Sequence, residues 1–426
     1  MLGVLKLIRA ATVLTGRSGE SIRDGEVLVD GARIAGVGER GSLPVPPQAL
    51  VLELPGRTVL PGLVDAHVHL GFDDRVDPVT GQTAESDPRL LLRMAENARK
   101  LVSAGVTLAR DLGGRNFLDV ALRDSIAAGL TVGPNLLVAT RPITPTGGHC
   151  WYMGGEADDV AGVRRVAREN LRAGADVLKV MASGGQMTAV APPAWRAQFD
   201  VTELRAIVEE AELRGKGVAA HAHAPESIRD VLDAGVTTIE HCTFLTPTGY
   251  AYDPALVDRI AAAGVYVCPT VHGQFQAIRE RLGAAPLDDW LQMLVKMRDA
   301  GVKLVAGDDC GFHLGDLDKA ADDYVGGLEV FELAGFSLAE IVELATVTAA
   351  AACGVGDVTG SLDVGKRADL IAVHGDPLVD LAALREVDLV LVAGRAVTQS
   401  GVDTVAGSSG GGPDSLRSDP GGGPGR

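Results

Sequence analysis

Aromatic residues are scarce in this sequence: Phe, Trp and Tyr make up 4% of its 426 residues, while apolar residues in total reach 46%. A core of that size must be filled by Ala, Val and Leu. Cysteine is also sparse. Cys150, Cys242, Cys268, Cys310 and Cys353 stand apart with no Cys-x-x-Cys spacing. An odd, scattered set argues for reduced thiols and a cytoplasmic setting, and against a disulfide framework. Long apolar runs are missing. No window approaches the roughly 18 uninterrupted apolar residues of a membrane-spanning helix, and the N-terminal apolar run, broken by Lys6 and Arg9, is too short for a signal peptide. No basic stripe is present either. A formal net charge of -17 argues against a nucleic-acid partner, and no membrane partner is expected.

What is present falls into three kinds of pattern. Residues 1–57 read as short β-strands at Leu5–Val13, Gly25–Val29, Arg33–Val37 and Leu50–Leu54, punctuated by Asp30-Gly31 and Pro55-Gly56. From residue 58 to 355 short apolar runs alternate with amphipathic stretches, the signature of βα units and a parallel sheet. Eight candidate strands are Thr58–His67, Val106–Asp111, Asn135–Thr140, Asp176–Met181, Val218–Ala222, Thr238–His241, Val265–Pro269 and Lys303–Ala306. Between them, Pro225–Ala234 places Ile228, Val231 and Leu232 on one helical face. Ala-Gly-Val recurs at residues 104, 234, 263 and 300, where Gly suits a helix C-cap ahead of a strand. Eight such units fit an α/β fold, a (β/α)8 barrel of the TIM type. After a helix over Ser337–Cys353, β character returns at Asp369–Val373 and Asp388–Val392. Residues 356–405 are therefore expected to join residues 1–57 in a small β-sandwich domain beside the barrel. Residues 406–426, mostly Gly, Ser, Pro and Asp, read as a disordered tail.

In a parallel barrel, functional groups gather at the C-terminal ends of the strands. His67 and His69 end strand one in Pro61-Gly-Leu-Val-Asp-Ala-His-Val-His. Spaced two apart on a strand, they face one side and can aim two imidazoles at one metal. Lys179 lies inside an otherwise apolar strand four. His221 and His223 end strand five, His241 ends strand six, and Asp308 and Asp309 end strand eight. A buried lysine is costly unless paired or neutralised. Lys179 therefore either pairs with Asp308 or Asp309, or does chemistry.

These motifs resemble the amidohydrolase superfamily, and within it the imidazolonepropionase-like group that includes Xaa-Pro dipeptidases and ochratoxinase-type amidases. The resemblance runs through the His67-Val68-His69 segment, Lys179-Val-Met-Ala-Ser-Gly-Gly, the histidines of strands five and six, and Gly360-Ser-Leu-Asp-Val-Gly-Lys-Arg-Ala-Asp-Leu. It implies that His67 and His69 bind the more buried of two divalent metal ions. Lys179, carbamylated by CO2, bridges the two, and His221 and His241 bind the second. The family's Gly-x-Asp motif points to Asp309 as both metal-facing acid and catalytic proton carrier, with Asp308 as the fallback. His223, His149 in Thr146-Gly-Gly-His, His272 and Tyr152 are expected to contact substrate. His313 and His374 read as structural. Cys242 and Cys150 depart from the family pattern, each following a histidine where a small Gly is common.

The chemistry the resemblance implies is hydrolysis of an amide bond, in an Xaa-Pro-type dipeptide or an N-acyl amino acid, by a hydroxide held between two metals. Nitrogen and oxygen ligands without thiolate suit zinc and leave manganese, cobalt or iron open. The alternative is a mononuclear cyclic amidase or ring deaminase, whose relatives generally lack the strand-four lysine. An inert scaffold is disfavoured because every expected ligand is present. The partner is thus a small molecule or dipeptide, and a homo-oligomer is allowed for.

Overall fold

The computed structural model describes residues 5–17, 19–72, 78–188, 191–271, 273, 284–309, 317–399 and 403–405. His272, His313 and residues 406–426 lie outside the described residues, and with them the expectations placed on them.

Four strands open the chain: β1 (Leu5–Leu14), β2 (Ser21–Asp30), β3 (Arg33–Glu39) and β4 (Leu50–Pro61). The Asp30-Gly31 turn joins β2 to β3 as an antiparallel pair, with Gly31 in the left-handed region at φ +57°. The β1 strand lies between β2, antiparallel, and β4, parallel.

The barrel follows. Its strands are β5 (Leu63–Val68), β6 (Val106–Asp111), β7 (Asn135–Val138), β8 (Val177–Met181), β9 (Gly217–Ala222) and β10 (Thr238–His241). A short hairpin, β11 (Leu245–Thr246) and β12 (Gly249–Tyr250), interrupts the series before β13 (Tyr266–Cys268) and β14 (Lys303–Leu304). Strands β5 to β7 pair in parallel, as do β8, β9, β10, β13 and β14 in that order. Backbone hydrogen bonds join the two arcs. Asp176 N donates to Val138 O at 2.8 Å, and Ile143 N to Lys179 O at 2.8 Å. On the other side Ala66 N donates to Ala306 O at 3.1 Å, and Asp309 N to His67 O at 2.9 Å. These eight strands thus close into a (β/α)8 barrel. All residues of β5, β6 and β8 are buried, as expected of parallel strands covered by helices. The helix Pro225–Ala234 turns Ile228 and Val231 inward, and Leu232 packs at the edge of the core. The four Ala-Gly-Val glycines share one geometry, φ between +68° and +93°, which lets each helix end and the chain reverse into a strand.

The last four strands, β15 (Leu370–His374), β16 (Val387–Val392), β17 (Arg395–Gln399) and β18 (Asp403–Val405), return to the first four. The order β17-β16-β15-β4-β1-β2-β3, with β18 also on β4, makes one eight-stranded sheet from both chain ends. Ile8, Val27, Val29, Leu52, Leu370 and Leu389 belong to its own core.

One expected strand is corrected. Thr58–Leu60 does not begin barrel strand one; it continues β4, where Thr58 and Val59 lie opposite Thr12 and Val13, and Leu60 lies opposite Ile371. Pro61 ends that ladder because it has no N–H to donate. At Gly62 the chain passes so close to Thr107 that a Cβ would sit 2.0 Å from its hydroxyl oxygen. The segment ahead of the two histidines is therefore the hinge between sheet and barrel. The expected helix over Ser337–Cys353 is likewise two helices, Leu338–Leu344 and Val347–Ala352, broken where Thr346 leaves helical geometry and donates to Val342 O at 2.6 Å. Among the described residues no helix is long and apolar enough to cross a membrane.

Candidate metal centre

The barrel's C-terminal rim is where the backbone is most strained. Thr140 after β7, His241 ending β10, Thr270 after β13 and Asp309 after β14 all have positive φ, between +53° and +67°. A residue with a Cβ adopts this region at a cost of about 1–3 kcal/mol. Four such residues at four strand ends point to geometry held for a purpose beyond folding.

Strand β5 and the β14 loop bring together one set of donors. His67 Nε2 lies 3.3 Å from His69 Nε2. Asp309 Oδ1 lies 3.3 Å from His67 Nε2 and 3.4 Å from His69 Nε2. Three ligand atoms on a tetrahedral ion with bonds of about 2.0–2.1 Å are about 3.3 Å apart. The triangle is therefore already the right size for one cation. The remaining ring nitrogens are engaged. His67 Nδ1 meets Glu240 Oε2 at 2.8 Å, and His69 Nδ1 donates to Gly113 O at 3.2 Å. Such partners fix the tautomer that leaves Nε2 as a lone-pair donor.

Glu240 is itself held from three sides. Arg110 Nη2 donates to its Oε1 at 3.0 Å and Thr238 Oγ1 at 2.5 Å, and Arg110 Nε is anchored on Ala66 O at 2.7 Å. Arg110 and Glu240 are both fully buried. Burial alone would raise the Glu240 pKa, yet Arg110 and His67 hold the carboxyl down at about 2.

His221, His223 and His241 form a second group, with one donor atom of each within 4.8 Å of the others. His149 packs beside His221, ring centroids 4.7 Å apart, and its Nδ1 contacts Thr188 Oγ1 at 3.0 Å. Near both groups lies Lys179, 1% exposed, whose Nζ has no hydrogen-bond partner among the described residues. Asp309 Oδ1 likewise has no hydrogen-bond partner among them. Orphaned buried polar atoms beside converging lone pairs are the mark of a donor set built for cations, so the residues fit a metal centre. Tyr152 packs with Phe72, Cys150, Met153 and Met181 in an apolar cluster at the edge of the site, where Phe72 lies 4.8 Å from the His69 ring.

Asp308 takes a different path from Asp309. It is buried against Asp65, whose Oδ1 accepts from Asp308 N at 3.3 Å and from His67 N at 3.1 Å. Burial, and then the charge of Asp308, hold the Asp65 carboxyl well above the usual carboxylate range. The two cysteines that depart from the family pattern both sit at left-handed positions, Cys150 at φ +56° and Cys242 at φ +49°, which explains why glycine suits them. Burial pushes the Cys150 thiol up to about 12 and Cys242 up as well, so neither is a thiolate nucleophile near neutral pH.

The imidazoles set the acid stability of the metal-free protein. Burial lowers His69 and His223 to about 3 and His149 to about 4. Burial, then neighbouring histidines, carry His221 and His241 well below their ordinary range. In the unfolded chain each takes its proton near the ordinary value of about 6.5. Below that pH the unfolded state binds more protons, so stability falls with falling pH, by up to about 1.4 kcal/mol per unit per histidine. Three buried carboxyls oppose this, Asp65, Asp111 and, at about 6, Asp119, because the folded state protonates them more readily. Five histidines outweigh three carboxyls. The melting temperature of chelator-treated protein is expected to drop steeply from pH 6.5 to 5 in calorimetry. A flat or rising trend would show that the imidazoles take up protons in place.

The structure thus gathers His67, His69, Lys179, His221, His241, Asp309, His149 and His223 at one rim, with Tyr152 at its edge. Sequence reasoning missed Arg110 and Glu240, because their strands, Val-Thr-Leu-Ala-Arg-Asp and Thr-Ile-Glu-His, carry other polar residues and neither charge stands out as Lys179 does in Val-Leu-Lys-Val-Met. It also missed Thr270, whose hydroxyl meets His241 Nδ1 at 2.7 Å, because threonine is ordinary at a strand end.

Known proteins share this architecture. Ochratoxinase of Aspergillus niger is 28% identical, covering 89% of this chain and 83% of its own length. Imidazolonepropionase of Micrococcus luteus is 28% identical over 85% of this chain and 91% of its own. A crystal structure of an Xaa-Pro dipeptidase with methionine bound in its active site superposes with a TM-score of 0.78 at 27% identity, over 92% of this chain and 99% of that one. The Amidohydrolase family description matches residues 58–397, from the end of β4 to β17. Since that span takes in the whole barrel and its histidine-rich rim, the chain belongs to the amidohydrolase family of metal-dependent hydrolases acting on carbon–nitrogen bonds.

Proposed function

We propose that this protein hydrolyses the amide bond of an N-acyl amino acid or Xaa-Pro-type dipeptide at a centre of two divalent cations, with Lys179 carboxylated by CO2 as their shared anionic ligand. The observation that carries this reading is the buried Lys179 amine, which has no hydrogen-bond partner among the described residues and lies among six candidate donors. An ammonium there would oppose both cations. Burial lowers the Lys179 pKa, which favours the neutral amine. Neutral Nζ attacks the carbon of CO2, forms an N–C bond and releases one proton, so the side chain becomes an anion that suits its surroundings. The substrate class rests on the similarity to ochratoxinase and to the Xaa-Pro dipeptidase.

Bound divalent cations supply Lewis acidity to a carbonyl oxygen and acidify water. The chain's residues do the rest. Glu240 holds the His67 ring. Asp309 receives a proton at its carboxylate and passes it to the leaving nitrogen. His149 and Tyr152 contact the substrate, and the apolar cluster of Phe72, Tyr152 and Met153 keeps water from one side.

Metal counting after growth with ample zinc and bicarbonate tests the reading, together with a library of dipeptides and N-acyl amino acids. Two metals per chain, one 13C label per chain from 13C-bicarbonate and amide hydrolysis are expected. A single metal, no label and ring-opening of a lactam or amidine would instead establish a mononuclear cyclic amidase, the activity class suggested by the imidazolonepropionase relative.

A further inference from the structure

We propose that His223 is a metal ligand, and that His221, His223 and His241 form a three-nitrogen site able to hold a divalent cation before Lys179 is carboxylated. The inference rests on the two-cation reading above and adds an order of assembly to it.

The three imidazoles stand at the corners of a nearly equilateral triangle. Ring centroids are 4.5 Å apart for His221 and His223, 4.4 Å for His221 and His241, and 4.5 Å for His223 and His241. Each ring has one nitrogen already engaged. His221 Nε2 donates to Gly184 O at 2.9 Å, His223 Nδ1 meets Thr243 Oγ1 at 2.9 Å, and His241 Nδ1 meets Thr270 Oγ1 at 2.7 Å. Each ring therefore has one nitrogen left over, Nδ1 of His221 and Nε2 of His223 and His241, and an oxygen partner on the other nitrogen is how protein metal sites fix their imidazoles. One donor atom of each ring falls within 4.8 Å of the others. A tetrahedral ion needs about 3.3 Å, so binding would draw the donor atoms inward by at most about 1.5 Å from the 4.8 Å limit. The backbone of His223 is tethered as well, its N donating to Ser183 Oγ at 3.0 Å. A residue serving only a substrate would not need the equal spacing.

Three neutral nitrogens make a competent site for zinc or cobalt without any anion. Carboxylated Lys179 then adds a donor rather than creating the site, and His223 is free to turn to the substrate.

Chelator-stripped full-length protein is titrated with Co2+ in CO2-free buffer, for the wild type, Lys179→Met, His223→Gln and the double variant. Bound metal per chain is counted after gel filtration, and the visible Co2+ absorption is recorded. The proposal expects two ions per chain in wild type and Lys179→Met, and one in the double variant. It also expects His223→Gln to bind one ion without CO2 and two after bicarbonate is added. Gln fills much of the imidazole volume, and the melting temperature of each stripped variant establishes that it is folded. Two ions in wild type with bicarbonate but one in Lys179→Met would overturn this proposal and leave the two-cation hydrolase standing. One ion in wild type under all conditions would overturn both.

Discussion

Asp309→Asn is expected to lower kcat about a thousandfold, within the range of about 10²–10⁴ that a positioned proton carrier contributes, while most of the metal stays bound. The carboxylate of Asp309 has two jobs. Its Oδ1 lies 3.3 and 3.4 Å from the His67 and His69 nitrogens, so it contributes a ligand. It must also accept a proton and give it up. Asparagine keeps an oxygen of the same size at the same place, a weaker but usable ligand, and cannot carry the proton. The variant therefore separates the two jobs, with metal content from elemental analysis reporting one and kcat on the best-hydrolysed library substrate reporting the other. Asp308→Asn is the control. Asp308 faces Asp65 beneath the site, and replacing one member of two crowded carboxyls by a neutral amide should leave kcat within a few fold. If the two variants exchange these phenotypes, Asp308 is the proton carrier. If Asp309→Asn loses its metal as completely as a His67 variant, the ligand role dominates and the proton travels by another route.

The barrel was legible because its strands are short apolar runs separated by amphipathic helices and repeated Ala-Gly-Val connectors. The rim was legible because polar residues in buried strands violate the pattern around them. Lys179 and the histidines of β9 and β10 all stand out in this way. What was not legible has physical reasons. The sequence of Thr58–Leu60 is apolar and β-branched whether it ends the terminal sheet or starts the barrel; only its pairing with Thr12, Val13 and Ile371 decides, and pairing between residues 46 and 311 positions apart leaves no local mark. The break in the helix after Ser337 depends on Thr346, a residue with no strong local preference.

Partners across the barrel were hidden for the same reason. His67 and Glu240 are 173 residues apart in sequence and 2.8 Å apart in space. The pattern singled out His67 but not Glu240, whose strand Thr-Ile-Glu-His is mostly polar, so nothing in the sequence marked the two as partners. The adjacent acids Asp308 and Asp309 could not be ranked by spacing alone. They separate because the backbone at Asp309 turns into the left-handed region at φ +56°, which sends the two side chains to different surroundings.

Glu240→Leu is expected to destabilise the protein by about 3–5 kcal/mol, the cost of leaving a buried charge without its partner. The stranded group is the Arg110 guanidinium, 1% exposed, which would keep Ala66 O and Thr238 Oγ1 but lose its only carboxylate among the described residues. His67 would lose its Nδ1 partner in the same step, and with it the preference for the tautomer that offers Nε2 to a cation. Loss of such a partner lowers metal affinity by about 10–100-fold. Stability and affinity have different causes here and can be parted. Arg110→Met combined with Glu240→Leu removes both charges and fills their volume with apolar atoms, a replacement that is often neutral or stabilising for a buried pair. The double variant should therefore regain most of the melting temperature lost by Glu240→Leu while keeping its weakened hold on Zn2+, measured by competition with a chelator. Recovery of both properties together would mean that Glu240 acts only through folding. Recovery of neither would mean that the buried pair itself, more than His67, is what the barrel floor requires.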